Sequence, residues 1–259
     1  LDLEHGLSFL RHTKIQASSN YEDLKETDIV IFTAGASQFP GETRLDLLEK
    51  NKAIIREAIP KIVRNAPNAI IIVVSNPVDI LTYEAYKIAG LPKGRIFGSG
   101  TTLDTSRFRF HLSEKLKINP NSIHTYILGE HGDSSFPAID GAIVGGQSLL
   151  SIQGITEEIV LNAYKKTKEA AYKIIEAKGA TFYAIATAAA ALSEAILTNS
   201  KKIYPVSIPL HSYQGHSGVS LSVPCVIGRN GVEQTIDIKL SWKEKQLLQK
   251  SVDTLKKYL

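Results

Sequence analysis

The sequence contains no methionine and only one cysteine, Cys225, so an intrachain disulfide is impossible. A lone cysteine fits a reducing compartment, and we expect a cytoplasmic location. No apolar run reaches the length that crosses a bilayer, and no signal peptide is recognisable. The formal net charge is only +4 and the lysines are scattered, whereas nucleic-acid binding calls for a concentrated basic face. Neither a membrane nor a nucleic acid is therefore expected as a partner, and no metal is predicted.

The absence of methionine also means that the chain does not contain its own initiator residue. Residues 1–6 have the character of a helix end that stops at Gly6. We therefore expect that an N-terminal segment precedes Leu1.

What is present predicts an α/β fold. In the 259 residues, 43% are hydrophobic and 22% are charged, which is the balance of an ordinary globular protein with one large domain or two smaller ones. Continuous β-branched runs predict buried strands over 28–33, 69–74 and 95–98. Helical spacing predicts helices over 45–64, with Pro60 as a kink or break, and over 80–89. This alternation indicates a parallel sheet with crossover helices.

The second half of the chain has a different pattern. Helices are predicted over 101–116, 156–177, 180–197 and 242–259, with a strand over 122–128 and a turn at 144–146. Over 201–239 the hydrophobic period changes to two, which predicts an antiparallel meander. We expect a division into residues 1–97, with the parallel sheet, and residues 98–259, an α+β domain with its own antiparallel sheet.

One histidine stands out as a candidate acid–base group. His131 lies between two glycines and two carboxylates, just after the strand predicted over 122–128. A histidine at the end of a buried strand can face a pocket and exchange protons near neutral pH. The alternative is a hydrogen-bonded structural histidine, which is commoner for a lone histidine in a loop. Asp104 and Arg107 share one helical face upstream, although an isolated surface pair of this kind contributes little.

Polar and small residues follow two of the predicted strands. Thr33, Ala34 and Gly35 end the first strand, and Ser75 and Asn76 end the second. Ligands of open α/β sheets bind at the carboxyl ends of the strands, where small residues let a ligand approach the backbone. The structural alternative for the segment after Gly35 is an ordinary surface connection. The structural alternative for Asn76 is a helix cap that precedes a proline at the first helical position. The segment after Gly35 is predicted to be a mobile loop that closes as a lid.

These pieces, taken together and in order, resemble the L-lactate dehydrogenases of the lactate/malate dehydrogenase superfamily. The matching segments are 33–36, 41–47, 75–79, 98–107, 129–134, 178–181 and 223–231. The resemblance covers nearly the whole chain. It implies a Rossmann-type cofactor domain, NAD as cofactor, and reversible reduction of pyruvate to L-lactate as the last step of fermentative glycolysis.

The resemblance also implies a role for each candidate residue. His131 matches the group that donates a proton to the carbonyl oxygen, and Asp104 matches the carboxylate that fixes its tautomer. Arg107 matches the two-pronged guanidinium that binds the substrate carboxylate, and Arg44 matches the arginine that polarises the carbonyl. Further matches place Asn76 and Thr181 beside the substrate and Ile185 against the nicotinamide. Thr33, Ala34, Gly35, Ser75 and Asn76 are expected to contact the cofactor.

Substrate choice is expected to depend on Gln38. Malate dehydrogenases of the superfamily have an arginine at the matching loop position, which pairs with the second carboxylate of oxaloacetate. Gln38 is neutral, and enclosing an unpaired carboxylate costs several kcal/mol. We therefore predict pyruvate as the substrate. A malate or other L-2-hydroxy acid dehydrogenase, and a catalytically silent binding protein of the same fold, remain as alternatives.

Two more residues match a regulatory site of the family. Arg109 and His124 match positions that bind fructose 1,6-bisphosphate at a subunit interface in the bacterial enzymes activated by this sugar, and the same resemblance implies a homotetramer. The alternative is a structural ion pair for Arg109 and an ordinary strand position for His124. One departure from the family is plain, because the Gly-x-Gly-x-x-Gly turn is absent; we expect it, with the first strand, to precede Leu1.

Overall fold

The structure, a computed structural model, describes residues 2–9, 11–36 and 44–259, with only the backbone described for Arg44. Its helices are α1 (Asp2–His5), α2 (Arg44–Asn65), α3 (Val78–Ala89), α4 (Thr102–Leu116), α5 (Glu157–Lys178), α6 (Tyr183–Leu197) and α7 (Trp242–Lys256). Its strands are β1 (Ile29–Phe32), β2 (Ile70–Val73), β3 (Ile96–Gly98), β4 (Ile123–His124), β5 (Ile127–Leu128), β6 (Phe136–Pro137), β7 (Ile143–Val144), β8 (Gln147–Ser148), β9 (Lys202–Pro209), β10 (Ser220–Gly228) and β11 (Gly231–Thr235).

The main sheet has six strands in the order β1-β2-β3-β9-β10-β11. The first three are parallel, as the alternating strand and helix pattern predicts. The last three form the predicted antiparallel meander. The prediction that the meander forms its own sheet is wrong, because Gly98 of β3 pairs with Ser207 of β9 and joins the two halves. The division of the chain after residue 97 stays a prediction.

Two local predictions are corrected by the structure. Pro60 does not end the helix, and α2 continues to Asn65. Ile55, Ile59 and Ile62 are buried on both sides of the proline, so packing of one continuous face outweighs the lost hydrogen bond. The strand predicted over 122–128 is two short strands, because β4 pairs with β7 whereas β5 pairs with β6.

Two hydrophobic clusters fix these elements. The larger one includes buried residues of β2, α3, β9, β10 and α7, so the C-terminal helix packs into the same core as the parallel strands. The smaller one joins α4 to the first turns of α5 through Phe108, Leu112 and Val160. The two clusters meet near β5 and β6, and the loop between these strands carries His131. Within the described ranges, no helix is both long and apolar enough to span a membrane.

Candidate active site

His131 lies in the loop that connects β5 to β6. The loop leaves β5 through Gly129, whose φ of +89° is a conformation that side chains rarely allow. The imidazole Nδ1 of His131 is 2.6 Å from Oδ2 of Asp104 on α4. Because the ring is 27% exposed and Nδ1 is engaged by the carboxylate, Nε2 is the nitrogen left to exchange a proton with a ligand.

Asp104 links the histidine to an arginine. Arg107, one turn further along α4, donates from Nη1 to Oδ1 of Asp104 at 3.1 Å. One carboxylate therefore contacts both cationic groups, and both side chains of the Asp104–Arg107 pair are less than one fifth exposed. The surface-pair alternative for these two residues is wrong, since they form the wall of a cavity.

The charges around His131 favour its protonated form. Burial lowers the pKa of the imidazole, but the adjacent Asp104 carboxylate, its hydrogen bond and the more distant Asp79 raise that pKa to about 9. Burial raises the pKa of Asp104, yet His131 and Arg107 bring it below its ordinary value. At neutral pH the pair is thus an imidazolium held by a carboxylate, which is the state that donates a proton.

The sequence reasoning missed Asp79. This carboxylate is 2% exposed and accepts hydrogen bonds from the backbone N–H of His131 and the hydroxyl of Ser207, both at 2.6 Å. Burial raises the pKa of Asp79 to about 6, although its two hydrogen bonds oppose the shift. The available signal was a carboxylate between Val78 and Ile80 in the first turn of an apolar helix. Asp79 therefore fixes the backbone of His131 through the N–H and, with Asp104, is the second carboxylate that favours the charged imidazole.

A cavity of about 280 Å³ brings together candidates that are far apart in the sequence. The predicted residues that line it are Asn76, Asp104, Arg107, His131, Thr181 and Ile185. The α5 side chains Tyr164 and Lys168 close another side of the cavity, and neither was singled out from the sequence. The volume suits a small 2-oxo acid, and the lining offers an imidazolium, a guanidinium and an amide at one place.

The remaining cofactor candidates lie at the carboxyl ends of β1 and β2. Ser75 donates from its hydroxyl to the carbonyl of Ala34 at 2.6 Å, which ties the two strand ends together. Asn51 of α2, also missed from the sequence, accepts from the N–H of Ala36 at 2.7 Å and donates to the carbonyl of Asn76 at 2.8 Å. The buried amide of Asn51 therefore links the segment that follows β1 to the segment that follows β2, and both are predicted to contact the cofactor.

These strand ends fit a dinucleotide. Thr33, Ala34 and Gly35 are exposed, and a Cβ at Gly35 would meet its nearest neighbours at 3.6 Å or more, so the edge is open. Val74 and Ile185 supply apolar surface to the cavity that holds His131, where a nicotinamide ring would lie. Adjacent strand ends in a parallel sheet are the usual position for such a cofactor.

Arg109 and His124 lie away from this cavity. Arg109 donates from Nε and Nη2 to the carbonyl of Thr125 at 3.1 and 2.9 Å, and its guanidinium lies 5.5 Å from the ring centre of Tyr126. The guanidinium thus has a structural role through its bonds to a carbonyl, and within the described ranges it forms no ion pair of the kind given as the alternative. His124 is exposed on β4 and Arg109 lines a separate groove. Gln38 and the side chain of Arg44 fall outside the described residues.

Comparison with known proteins assigns the family. The lactate/malate dehydrogenase NAD binding domain matches residues 1–98, and the lactate/malate dehydrogenase alpha/beta C-terminal domain matches residues 101–259. The chain belongs to the lactate/malate dehydrogenase family. The NAD binding portion of the family fold is therefore present, and NAD is the cofactor that it indicates. Whether a further segment carries the Gly-x-Gly-x-x-Gly turn stays a prediction.

Individual relatives narrow the comparison. L-lactate dehydrogenase 1 of Clostridium acetobutylicum is 46% identical over 264 positions, covering 100% of this chain and 84% of that protein. L-lactate dehydrogenase of Lacticaseibacillus casei is 43% identical over 263 positions, with 100% and 80% coverage. Among solved structures, a minor L-lactate dehydrogenase from Enterococcus mundtii in a ligand-bound form superposes with a TM-score of 0.94 at 38% identity, covering 99% of this chain and 83% of that one.

Proposed function

We propose that this chain is an NAD-dependent L-lactate dehydrogenase that interconverts pyruvate and L-lactate. The observation that supports this most directly is the contact between His131 and Asp104 at 2.6 Å, in a cavity shared with Arg107 and Asn76. Membership of the lactate/malate dehydrogenase family and full-length relatives that are L-lactate dehydrogenases support the same activity.

The residues of the cavity have separate roles in the reduction of a ketone. NADH, when bound at the strand ends, supplies a hydride to the carbonyl carbon. His131 gives its Nε2 proton to the carbonyl oxygen, and Asp104 stabilises the imidazolium before the transfer and keeps the proton on Nδ1 afterwards. In the reverse direction the neutral Nε2 withdraws the proton of the lactate hydroxyl.

Substrate orientation comes from the other polar groups. Arg107 binds the substrate carboxylate with the part of its guanidinium that Asp104 does not engage. The Oδ1 atom of Asn76 accepts a hydrogen bond from the backbone N–H of Val78 at 3.3 Å. The amide nitrogen of Asn76 is therefore the group that donates to a substrate oxygen. Thr181 and Ile185 line the same cavity beside them. Arg44 keeps its predicted role of polarising the carbonyl from the start of α2.

A side-by-side assay tests the activity. NADH oxidation is followed by absorbance with pyruvate and with oxaloacetate, using wild type and His131→Gln. We expect rapid oxidation with pyruvate, much slower oxidation with oxaloacetate, and a loss of about a hundredfold or more in the variant because a general acid contributes about that much. A preference for oxaloacetate would identify a malate dehydrogenase. No oxidation with either acid would favour the silent binding protein.

We further propose activation by fructose 1,6-bisphosphate at Arg109 and His124, in a homotetramer located in the cytoplasm. Support for the effector site is the contact of Arg109 with the carbonyl of Thr125, the residue that follows His124. His124→Ala is the sharper test, since that side chain is exposed whereas Arg109 also holds Thr125. The sugar bisphosphate should lower the half-saturating pyruvate concentration of wild type and have a weaker effect on His124→Ala. No response in wild type would remove the effector site.

A further inference from the structure

The C-terminal helix contacts the loop that carries His131. Ser251, in the middle of α7, is fully buried and lies 120 residues beyond the histidine in the sequence. Its hydroxyl is 2.5 Å from the carbonyl oxygen of Ser134, to which it donates, and it accepts from the backbone N–H of Glu130 at 3.2 Å. One side chain therefore joins the two ends of the loop.

The loop closes on itself around the same point. The carboxylate of Glu130 accepts from the backbone N–H of Ser134 at 3.1 Å and from the hydroxyl of Ser134. The Ser134 hydroxyl is also 3.2 Å from that of Ser251. A hydroxyl has one hydrogen to donate, and Ser251 gives its hydrogen to the Ser134 carbonyl while Ser134 gives its own to Glu130. The approach of the two hydroxyls is therefore a close contact and not a further hydrogen bond.

The space around Ser251 is filled. A Cβ built on Gly129 would lie 2.4 Å from Oγ of Ser251 and 3.1 Å from its Cβ, so the loop backbone approaches the serine as closely as glycine allows. Loss of the Ser251 hydroxyl would remove the partner of two backbone groups, the N–H of Glu130 and the carbonyl of Ser134.

The consequence falls on the backbone of His131. The N–H of Glu130 is held by Ser251 and the next N–H, that of His131, is held by Asp79 at 2.6 Å. Two consecutive backbone N–H groups are thus held by side chains of two different helices, the first by α7 and the second by α3. Fixing them sets the position of the His131 Cα, and with it the 2.6 Å contact of the imidazole with Asp104.

We propose that Ser251 is a positioning residue for His131, through which the C-terminal helix sets the geometry of proton transfer. The proposal rests on the proposed function, since it assigns a part in pyruvate reduction. Ser251 touches neither the substrate cavity nor the imidazole, and it acts through the backbone of Glu130 and Ser134.

Ser251→Ala in the full-length protein tests the proposal, with pyruvate reduction measured across pH. A misplaced proton donor weakens the transition state and not substrate binding, so kcat and kcat/KM should fall together by about ten- to a hundredfold while KM for pyruvate changes little. The alkaline limit of pyruvate reduction should move to lower pH, because His131 drifts from the carboxylate that favours its charge. A purely structural role would reduce the amount of folded enzyme without moving that limit.

Thr254→Val on the same helix is the matched control. It removes a hydroxyl that donates to the carbonyl of Lys250 one turn back, remote from the His131 loop, and should keep wild-type kcat and pH profile. If Ser251→Ala does not fold, Ser251→Cys, which retains a weak donor, should show a smaller loss and the same direction of shift. A folded Ser251 variant with a wild-type kcat and pH limit would overturn the proposal. Failure of wild type to reduce pyruvate would instead refute the proposed function.

Discussion

At the scale of single residues, the carboxylate of Asp104 connects the two halves of the proposed chemistry. One oxygen contacts the imidazole of His131 and the other accepts from Arg107. Spacing placed Asp104 and Arg107 on one helical face, and the resemblance to the L-lactate dehydrogenases then joined them to His131. Asp79 escaped notice because a carboxylate in the first turn of a helix is ordinarily a solvated group that complements the helix dipole. Only the approach of the His131 loop gives Asp79 its partner.

Replacing Asp104 with asparagine should move the pH profile. Without the negative charge, burial dominates and the pKa of His131 falls below about 9. We expect the alkaline limit of pyruvate reduction to move down by about one pH unit or more and kcat to fall by about a hundredfold at neutral pH. Asp253→Asn, at an exposed position of α7, should leave both unchanged. An Asp104→Asn profile that overlays wild type would contradict the role assigned to the carboxylate.

Gln38→Arg should change the choice of substrate. A guanidinium at this position would pair with the second carboxylate of oxaloacetate, which the neutral glutamine leaves unpaired. The ratio of kcat/KM for oxaloacetate to that for pyruvate should rise by about a hundredfold, since each ~1.4 kcal/mol is a factor of ten. Gln38→Asn, neutral and polar like wild type, serves as control. An unchanged ratio in the arginine variant means that Gln38 does not select the substrate.

At the scale of elements, the junction of β3 with β9 decides where the site lies. Pairing of Gly98 with Ser207 brings the meander beside the parallel strands, and Ser207 then donates to Asp79. Period-two patterning indicated the meander but not its neighbour, because alternation shows which face of a strand is buried and not which strand it joins. The six-stranded sheet is thus a tertiary result.

Gly98→Ala should destabilise this junction. An added Cβ would lie 2.4 Å from Oγ1 of Thr82 and 2.8 Å from Cγ2 of Val78, both in the packed core. Overpacking of this kind costs about 1–3 kcal/mol of unfolding free energy. Urea unfolding should show that loss. Gly141→Ala is the matched control, because its Cβ would meet nothing nearer than 4.0 Å, and equal stabilities for the two variants would contradict the packing seen at β3.

At the scale of the whole molecule, the titratable groups of the site make the unfolding free energy depend on pH. Since the pKa of Asp79 is higher in the folded state, about 6, than its ordinary 3.8, the stability from this group is full below the unfolded value and is lost as pH rises through about 6. His131, whose pKa is raised to about 9, contributes stability below its unfolded pKa of 6.5 that disappears as pH rises through about 9. Asp104 acts oppositely, because its lowered pKa contributes stability that is lost on acidification.

Asp79→Asn should isolate one of these contributions. The amide oxygen of an asparagine can still accept the N–H of His131, which Oδ2 of Asp79 accepts in wild type, and asparagine does not titrate. The unfolding free energy of the variant minus that of wild type should therefore increase by about 2 kcal/mol from about pH 4 to about pH 8. Denaturant unfolding at a series of pH values measures this difference. A pH-independent difference would mean that Asp79 titrates in the folded protein as it does in the unfolded chain.

The sequence by itself determined the order of strands and helices, the strand ends that carry Ser75 and Asn76, and the identity of His131, Asp104 and Arg107 as candidates. Local periodicity suffices for the elements and their ends, because it depends on residues within one or two turns of each other. The three site residues depended on the resemblance to the L-lactate dehydrogenases, because spacing alone favoured a structural loop histidine and a surface pair. Tertiary structure alone decided that Pro60 stays inside α2, that the meander extends the parallel sheet, and that Asp79, Asn51 and Ser251 support the site. Those outcomes depend on contacts between residues up to 128 positions apart, where no local pattern specifies the partner of a buried polar group.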